Sequence, residues 1–97
     1  MILPIRAGPL ARHVQYIATP ALWPCWPFLP VVRRTSGAEE LGLMYDVVHL
    51  TGRTGYSATV FFGNLFELPP TEAEFLALPR DVYDTAEEVA LGGWRVD

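Results

Sequence analysis

LGLMYDVVHL (residues 41–50) and SATVFFGNLFEL (residues 57–68), joined by TGRTGY (residues 51–56), decide the fold class of this chain. Both apolar runs are rich in β-branched and aromatic residues, which suit a half-buried pleated surface. Gly52 and Gly55 flank the connection and mark a turn. With the tip at Arg53-Thr54, the register sets Val48 opposite Thr59, Asp46 opposite Phe61 and Tyr45 opposite Phe62. A slip by one residue would turn every side chain to the other face. Tyr45-Asp46-Val47-Val48 and Val60-Phe61-Phe62 are apolar toward both faces, so the pair is expected at the centre of a sheet covered on two sides.

Downstream, TEAE (residues 71–74) and TAEE (residues 85–88) read as capping boxes, in which a Thr hydroxyl takes an amide three residues on and the Glu returns to the cap. They predict two short helices, stopped by Pro79 and by Gly92-Gly93. The closing WRVD (residues 94–97) reads as a terminal strand with Trp94 and Val96 turned inward. The fold class is therefore α+β: a small, mostly antiparallel sheet built on a central hairpin of about 41–50/57–68, two short C-terminal helices, and a Pro/Trp-rich extended N-terminal segment.

Upstream, the alternation His13-Val14-Gln15-Tyr16-Ile17-Ala18 predicts a first strand within Leu10–Thr19. Pro20, Pro24, Pro27 and Pro30 then punctuate the chain. A proline every third residue favours the polyproline II conformation, with Pro24, Pro27 and Pro30 on one edge, Trp23, Trp26 and Leu29 on a second, and Cys25, Phe28 and Val31 on a third. None of the edges is polar, so the segment is expected against a sheet or another subunit. Val31–Arg34 is expected to run on as a strand at a sheet edge, since Pro30 has no amide to give a central ladder.

The chain has 97 residues, 51% of them hydrophobic and 19% charged. That composition belongs to folded rather than disordered chains and allows one core, so residues 1–97 are expected to form a single domain, with residues 1–9 as a flexible or docked arm. The longest apolar run, Ala21–Val32, is too short and too proline-broken to cross a bilayer, and the N-terminus lacks the order of a signal peptide. A single cysteine, Cys25, excludes an intrachain disulfide, which fits a reducing cytoplasm. All seven basic residues are Arg, as GC-rich, bacterial-like coding would give.

Charge is uneven. Arg6, Arg12, Arg33 and Arg34 stand without an acid in residues 1–37, a balance of +4, whereas residues 38–97 set 11 acids against three Arg, a balance of −8. Scattered Arg beside an acidic remainder do not suit a polyanion, so no nucleic acid is expected as partner. No Lys means neither a Walker phosphate loop nor a Schiff base.

Cys25 with His13 or His49 and Asp46 could form a nucleophilic set on paper, but Cys25 lies between Pro24 and Trp26 and is expected to be a buried apolar thiol. Asp46 and His49, three apart on a strand, would face opposite ways and share no metal. Glu39-Glu40 and Glu87-Glu88 are expected to be solvated. No catalytic residue, metal ligand or cofactor is assigned. The binding candidates are Trp23, Trp26, Phe28, Tyr45, His49 and Arg53, because aromatic and Arg side chains concentrate binding energy.

The functional expectation is a non-enzymatic interaction or assembly protein, a homodimer or the partner of another protein, associating through Trp23–Val31 or an exposed strand edge. One alternative is a small-ligand binder or minor enzyme with a pocket of Trp23, Trp26, Tyr45 and Phe62 and polar contacts from His49, Asp46 and Cys25. The other is a small acidic inhibitor or adaptor of a basic protein.

Overall fold

The computed structural model describes residues 9–46 and 58–97. The chain runs α1 (Pro9–Ile17), a 3-10 turn (Pro20–Leu22), β1 (Phe28–Thr35), β2 (Ala38–Tyr45), β3 (Thr59–Phe62), a second 3-10 turn (Leu65–Glu67), α2 (Glu72–Leu76), β4 (Arg80–Val82), α3 (Ala86–Leu91) and β5 (Trp94–Val96). The five strands form one antiparallel sheet in the order β4-β3-β2-β1-β5. The α+β class and the antiparallel sheet agree with the sequence expectation.

β1 and β2 close a two-residue hairpin over Ser36-Gly37, with Thr35 opposite Ala38 and Gly37 at φ 78°. That left-handed backbone is available to Gly without the Cβ penalty. Side chains alternate across the sheet. One face presents Leu29, Val31, Met44, Val60 and Trp94, packed with Ile17 of α1, Val89 of α3 and Trp23. The other presents Leu43, Tyr45 and Phe61, packed with Phe75 of α2. Gly42 sits where the first face is most crowded. A Cβ there would lie 2.5 Å from Val60 Cγ1 and 3.0 Å from Trp94 Cζ3, so only Gly lets the indole lie across the strand.

Both predicted helices form. The Thr71 hydroxyl accepts from Glu74 N at 3.1 Å and the Thr85 hydroxyl from Glu88 N at 3.2 Å. The Glu88 carboxylate returns one residue earlier than a capping box requires, accepting from Asp84 N at 2.9 Å. β5 forms as read, with Trp94 fully buried and Val96 packed against the first core.

Four expectations are corrected. Leu10–Thr19 is not a strand: residues 9–17 are helical, because Leu10, His13, Val14 and Ile17 recur at helical spacing and Pro9 occupies the first helical position, where its missing N–H costs nothing. The Pro/Trp segment is extended only from Phe28 onward. Before that it folds through the 3-10 turn and two further turns, with Trp26 N donating to Trp23 O and Phe28 N to Cys25 O. β1 is not an edge strand, since β5 covers its outer side. Pro30 is tolerated because its nitrogen faces the β5 side just beyond the paired residues 31–33, while its carbonyl accepts from Asp97 N at 3.1 Å.

The β2–β3 register differs by three residues from that predicted: Gly42 lies opposite Phe62 and Leu43 opposite Phe61. Gly42 must face Trp94, and Leu43 must join Phe61 in the second core. Those demands, rather than a tip at Arg53-Thr54, fix the observed pairing, and the predicted tip lies outside the described residues. Among the described residues no helix is long and apolar enough to cross a membrane.

Candidate functional site

The segment between α1 and β1 is pinned at both ends by its own tryptophans. Trp23 is buried, and its Nε1 donates to Tyr16 O at 2.9 Å, which folds the 3-10 turn back onto α1. Trp26 is 47% exposed, yet its Nε1 donates to Asp46 Oδ2 at 2.7 Å, and Asp46 is itself buried. Asp46 N donates to Pro27 O at 2.8 Å, so the end of β2 clamps the backbone just after Trp26. The Trp26–Pro27 peptide is cis.

Beside this clamp lies a hollow of about 450 Å³ lined by Ala18, Thr19, Pro20, Ala21, Trp26 and Asp46. Its wall is mostly apolar, and among the described residues Asp46 is the one ionisable group that lines it. Leu22, in the same segment, is 49% exposed. Residues 18–32 carry no charged side chain. An indole held by a charge-assisted hydrogen bond loses little freedom on binding, which favours contact with an apolar or aromatic surface.

Phe28 and Tyr45 belong to the opposite face. Their rings stack at 5.0 Å, Phe75 meets both edge-on at 5.4 and 5.2 Å, and Tyr45 OH donates to Glu72 Oε2 at 2.7 Å. Leu68, Pro69 and Pro70 complete the wall of a hollow of about 170 Å³ beside them. Trp23 and Phe62 lie in the first core and Tyr45 in the second, so these three and Trp26 do not line one cavity. His49 and Arg53 lie outside the described residues. Cys25 is exposed, which corrects the expectation of a buried thiol. Its place in a surface turn, flanked by Pro24 and the half-exposed Trp26, is the reason. Among the described residues no group of three or more His, Cys, Asp or Glu could hold a metal ion.

One polar cluster is not anticipated by the sequence reading. Arg33 makes a bidentate pair with Glu40 at 2.8 and 3.2 Å, reaches Asp81 at 3.1 Å and Gly92 O at 3.4 Å, and lies 4.5 Å above the Trp94 ring. Tyr83 OH donates to the same Asp81 oxygen at 3.2 Å. The hydrogen bonds that Arg33 donates to the Glu40 carboxylate raise the Arg33 pKa and lower that of Glu40. Neighbouring Arg34 pairs with Glu39 at 2.9 Å. Glu39 and Glu40, expected only to be solvated, are therefore strand residues with Arg partners. The signal is present in the sequence: RRT and AEE are mirror images in charge about Ser36-Gly37, as cross-strand pairs across a hairpin require. The cluster ties β1, β2, β4 and the end of α3 together over Trp94.

No family model matches the chain, and neither a curated protein nor a solved structure matches it.

Proposed function

We propose that the protein is a non-enzymatic interaction module that assembles with a second copy of itself through the rim formed by Leu22, Trp26 and the adjoining hollow. The observation that carries this reading is the indole of Trp26, half-exposed and held in one orientation by buried Asp46. Tryptophan anchors of this kind concentrate binding energy. A second copy is favoured as occupant because two-fold assembly brings the same patch against itself, and the uncharged residues 18–32 bring no like charges together. The acidic-adaptor alternative is less well supported, since Glu39, Glu40, Asp81 and Glu72 are engaged within the fold and divided between the two sides of the sheet. The hollow's volume lies within the range of about 300–1,000 Å³ usual for small-molecule sites, which keeps a ligand-binding reading as the second choice.

Light scattering after gel filtration tests the assembly reading. The wild-type mass should be that of a dimer at neutral pH, insensitive to salt, and Trp26→Ala and Leu22→Arg should each lower it while the circular dichroism spectrum is kept. A monomer at every concentration, or a dimer indifferent to both substitutions, would remove the rim as a seam.

A further inference from the structure

β5 is an edge strand, and among the described residues two side chains engage its outer edge: Arg95 of β5 itself, whose Nη1 donates to Trp94 O at 2.8 Å and to Ala90 O at 2.7 Å, and His13 of α1, which alone meets Val96. Val32 stands opposite Arg95 and Asp97 N donates to Pro30 O, so Arg95 and Asp97 turn their backbone groups toward β1. In an antiparallel ladder the intervening residue turns the other way, which sends the N–H and C=O of Val96 away from the sheet. That outward N–H donates to His13 Nδ1 of α1 at 3.0 Å. A ring nitrogen accepts only while it carries no proton, so the neutral ring holds its proton on Nε2. A proton taken up from solvent at Nδ1 replaces the acceptor with a donor, and the bond is lost.

We propose that His13 is an acid-operated cover for the β5 edge, and that protonation at Nδ1 releases Val96 to pair, strand to antiparallel strand, with β5 of a second copy. Exposed strand edges are ready pairing surfaces. The sequence of β5 selects its own copy: a two-fold axis through Val96 sets Val96 opposite Val96, joined by two N–H···O bonds, and sets each Arg95 opposite the second copy's Asp97. Opposite charges directly across a ladder stabilise it.

The groups around His13 fit a cover that is shut at neutral pH. Burial, and then the positive charge of Arg95 on β5, hold the imidazole below its ordinary pKa. Arg12 and Tyr16, on its own helix, line the hollow beside it together with Val96. α3, packed along α1, carries Glu87 and Glu88, both exposed, and Glu88 is engaged by Asp84 N. The 3-10 turn Pro20–Leu22 carries no titratable group.

The β5 edge is a different surface from the Trp26 rim and does not depend on it. The test is the mass of the full chain by light scattering from about pH 7.5 to about pH 5, the span over which a histidine of lowered pKa gains its proton, with circular dichroism to verify folding. Wild type should show a twofold rise in mass on acidification. His13→Asn, whose side chain offers an acceptor that does not titrate, should show none. Val96→Pro, which removes the outward N–H without taking a bond from β1, should also show none. Trp26→Ala should keep the rise. A folded wild type of constant mass overturns the proposal. So does a rise shared equally by His13→Asn and Val96→Pro, which is what general association near the isoelectric point of about 5.0 would give. A rise that Trp26→Ala abolishes and Val96→Pro retains would place the seam at the Trp26 rim and likewise overturn it.

Discussion

Gly42→Ala is a one-methyl test of the core. The added Cβ would lie 2.5 Å from Val60 Cγ1 and 3.0 and 3.1 Å from Trp94 Cζ3 and Cη2. Carbon atoms pack best at about 3.5–4.0 Å, so the Val60 contact is short by at least about 1 Å. Neither neighbour yields easily. Val60 is β-branched and fully buried, and the Trp94 ring is wedged beneath Arg33. Overpacking of this kind costs about 1–3 kcal/mol, against which Ala in place of Gly in a strand recovers only about 0.5–1 kcal/mol. A net loss near 1.5 kcal/mol would lower Tm by about 6–12 °C in a domain of this size, since each kcal/mol is about 4–8 °C. Thermal melts and urea titrations followed by circular dichroism read both quantities. Val60→Ala alone should cost about 2–3 kcal/mol from lost burial and the cavity left behind. Because it also removes the atom that the added methyl strikes, the double variant should fall short of the sum of the singles by roughly 1 kcal/mol. An unchanged or raised Tm in Gly42→Ala, or strict additivity in the double variant, would refute the claim that Gly42 is fixed by the close approach of Val60 and Trp94.

Thr85→Ala removes the hydroxyl that caps α3 and should cost about 1 kcal/mol, read as a fall in Tm. Trp23→Ala should cost about 3–5 kcal/mol by urea titration, because Trp23 is core whereas Trp26 is rim. Stability should fall in two acid steps. The lowered pKa of His13 gives a contribution that is complete above about pH 6.5 and lost as pH falls through the folded value, a step that His13→Asn should remove. The lowered pKa of Glu40 acts the same way below about pH 4.5, and Glu40→Gln should flatten that second step in acid titrations. Exposed Cys25 should react with a thiol reagent in the folded protein, and labelling that waits for denaturant would contradict its placement.

The parts of the fold legible in the sequence are those set by local chemistry. Thr71 and Thr85 each carry their own cap, and Trp94-Arg95-Val96 alternates as a strand must. The β1–β2 hairpin is half legible: Val31–Arg34 and the run from Leu41 each read as a strand, but only the charge symmetry of RRT and AEE about Ser36-Gly37 joins them. What cannot be read locally is decided by tertiary partners. Residues 10–17 satisfy both a loose alternation and a helical stripe, and only the core containing Ile17 settles between them. β4 is three residues long and exists because Val60 and its neighbours offer an edge. Of the binding candidates, Trp23 and Trp26 look alike in sequence. Whether each indole N–H meets Tyr16 O or Asp46 is a three-dimensional fact, and it is what makes one core and the other rim.

The order of strands has a consequence for how the chain acquires its structure. β1 to β4 form a meander of near neighbours, but residues 94–96 return to lie against residues 31–33, across more than half of the chain. During synthesis the first hairpin can close early, yet Arg33 has no ring to cover and Val31 no outer neighbour until Trp94 has left the ribosome. Closure of so long a loop is entropically late, and contacts of high sequence separation slow folding. A nascent chain stalled short of Trp94 would therefore hold a half-built sheet with its apolar face open, and the step that completes the domain is the arrival of one tryptophan.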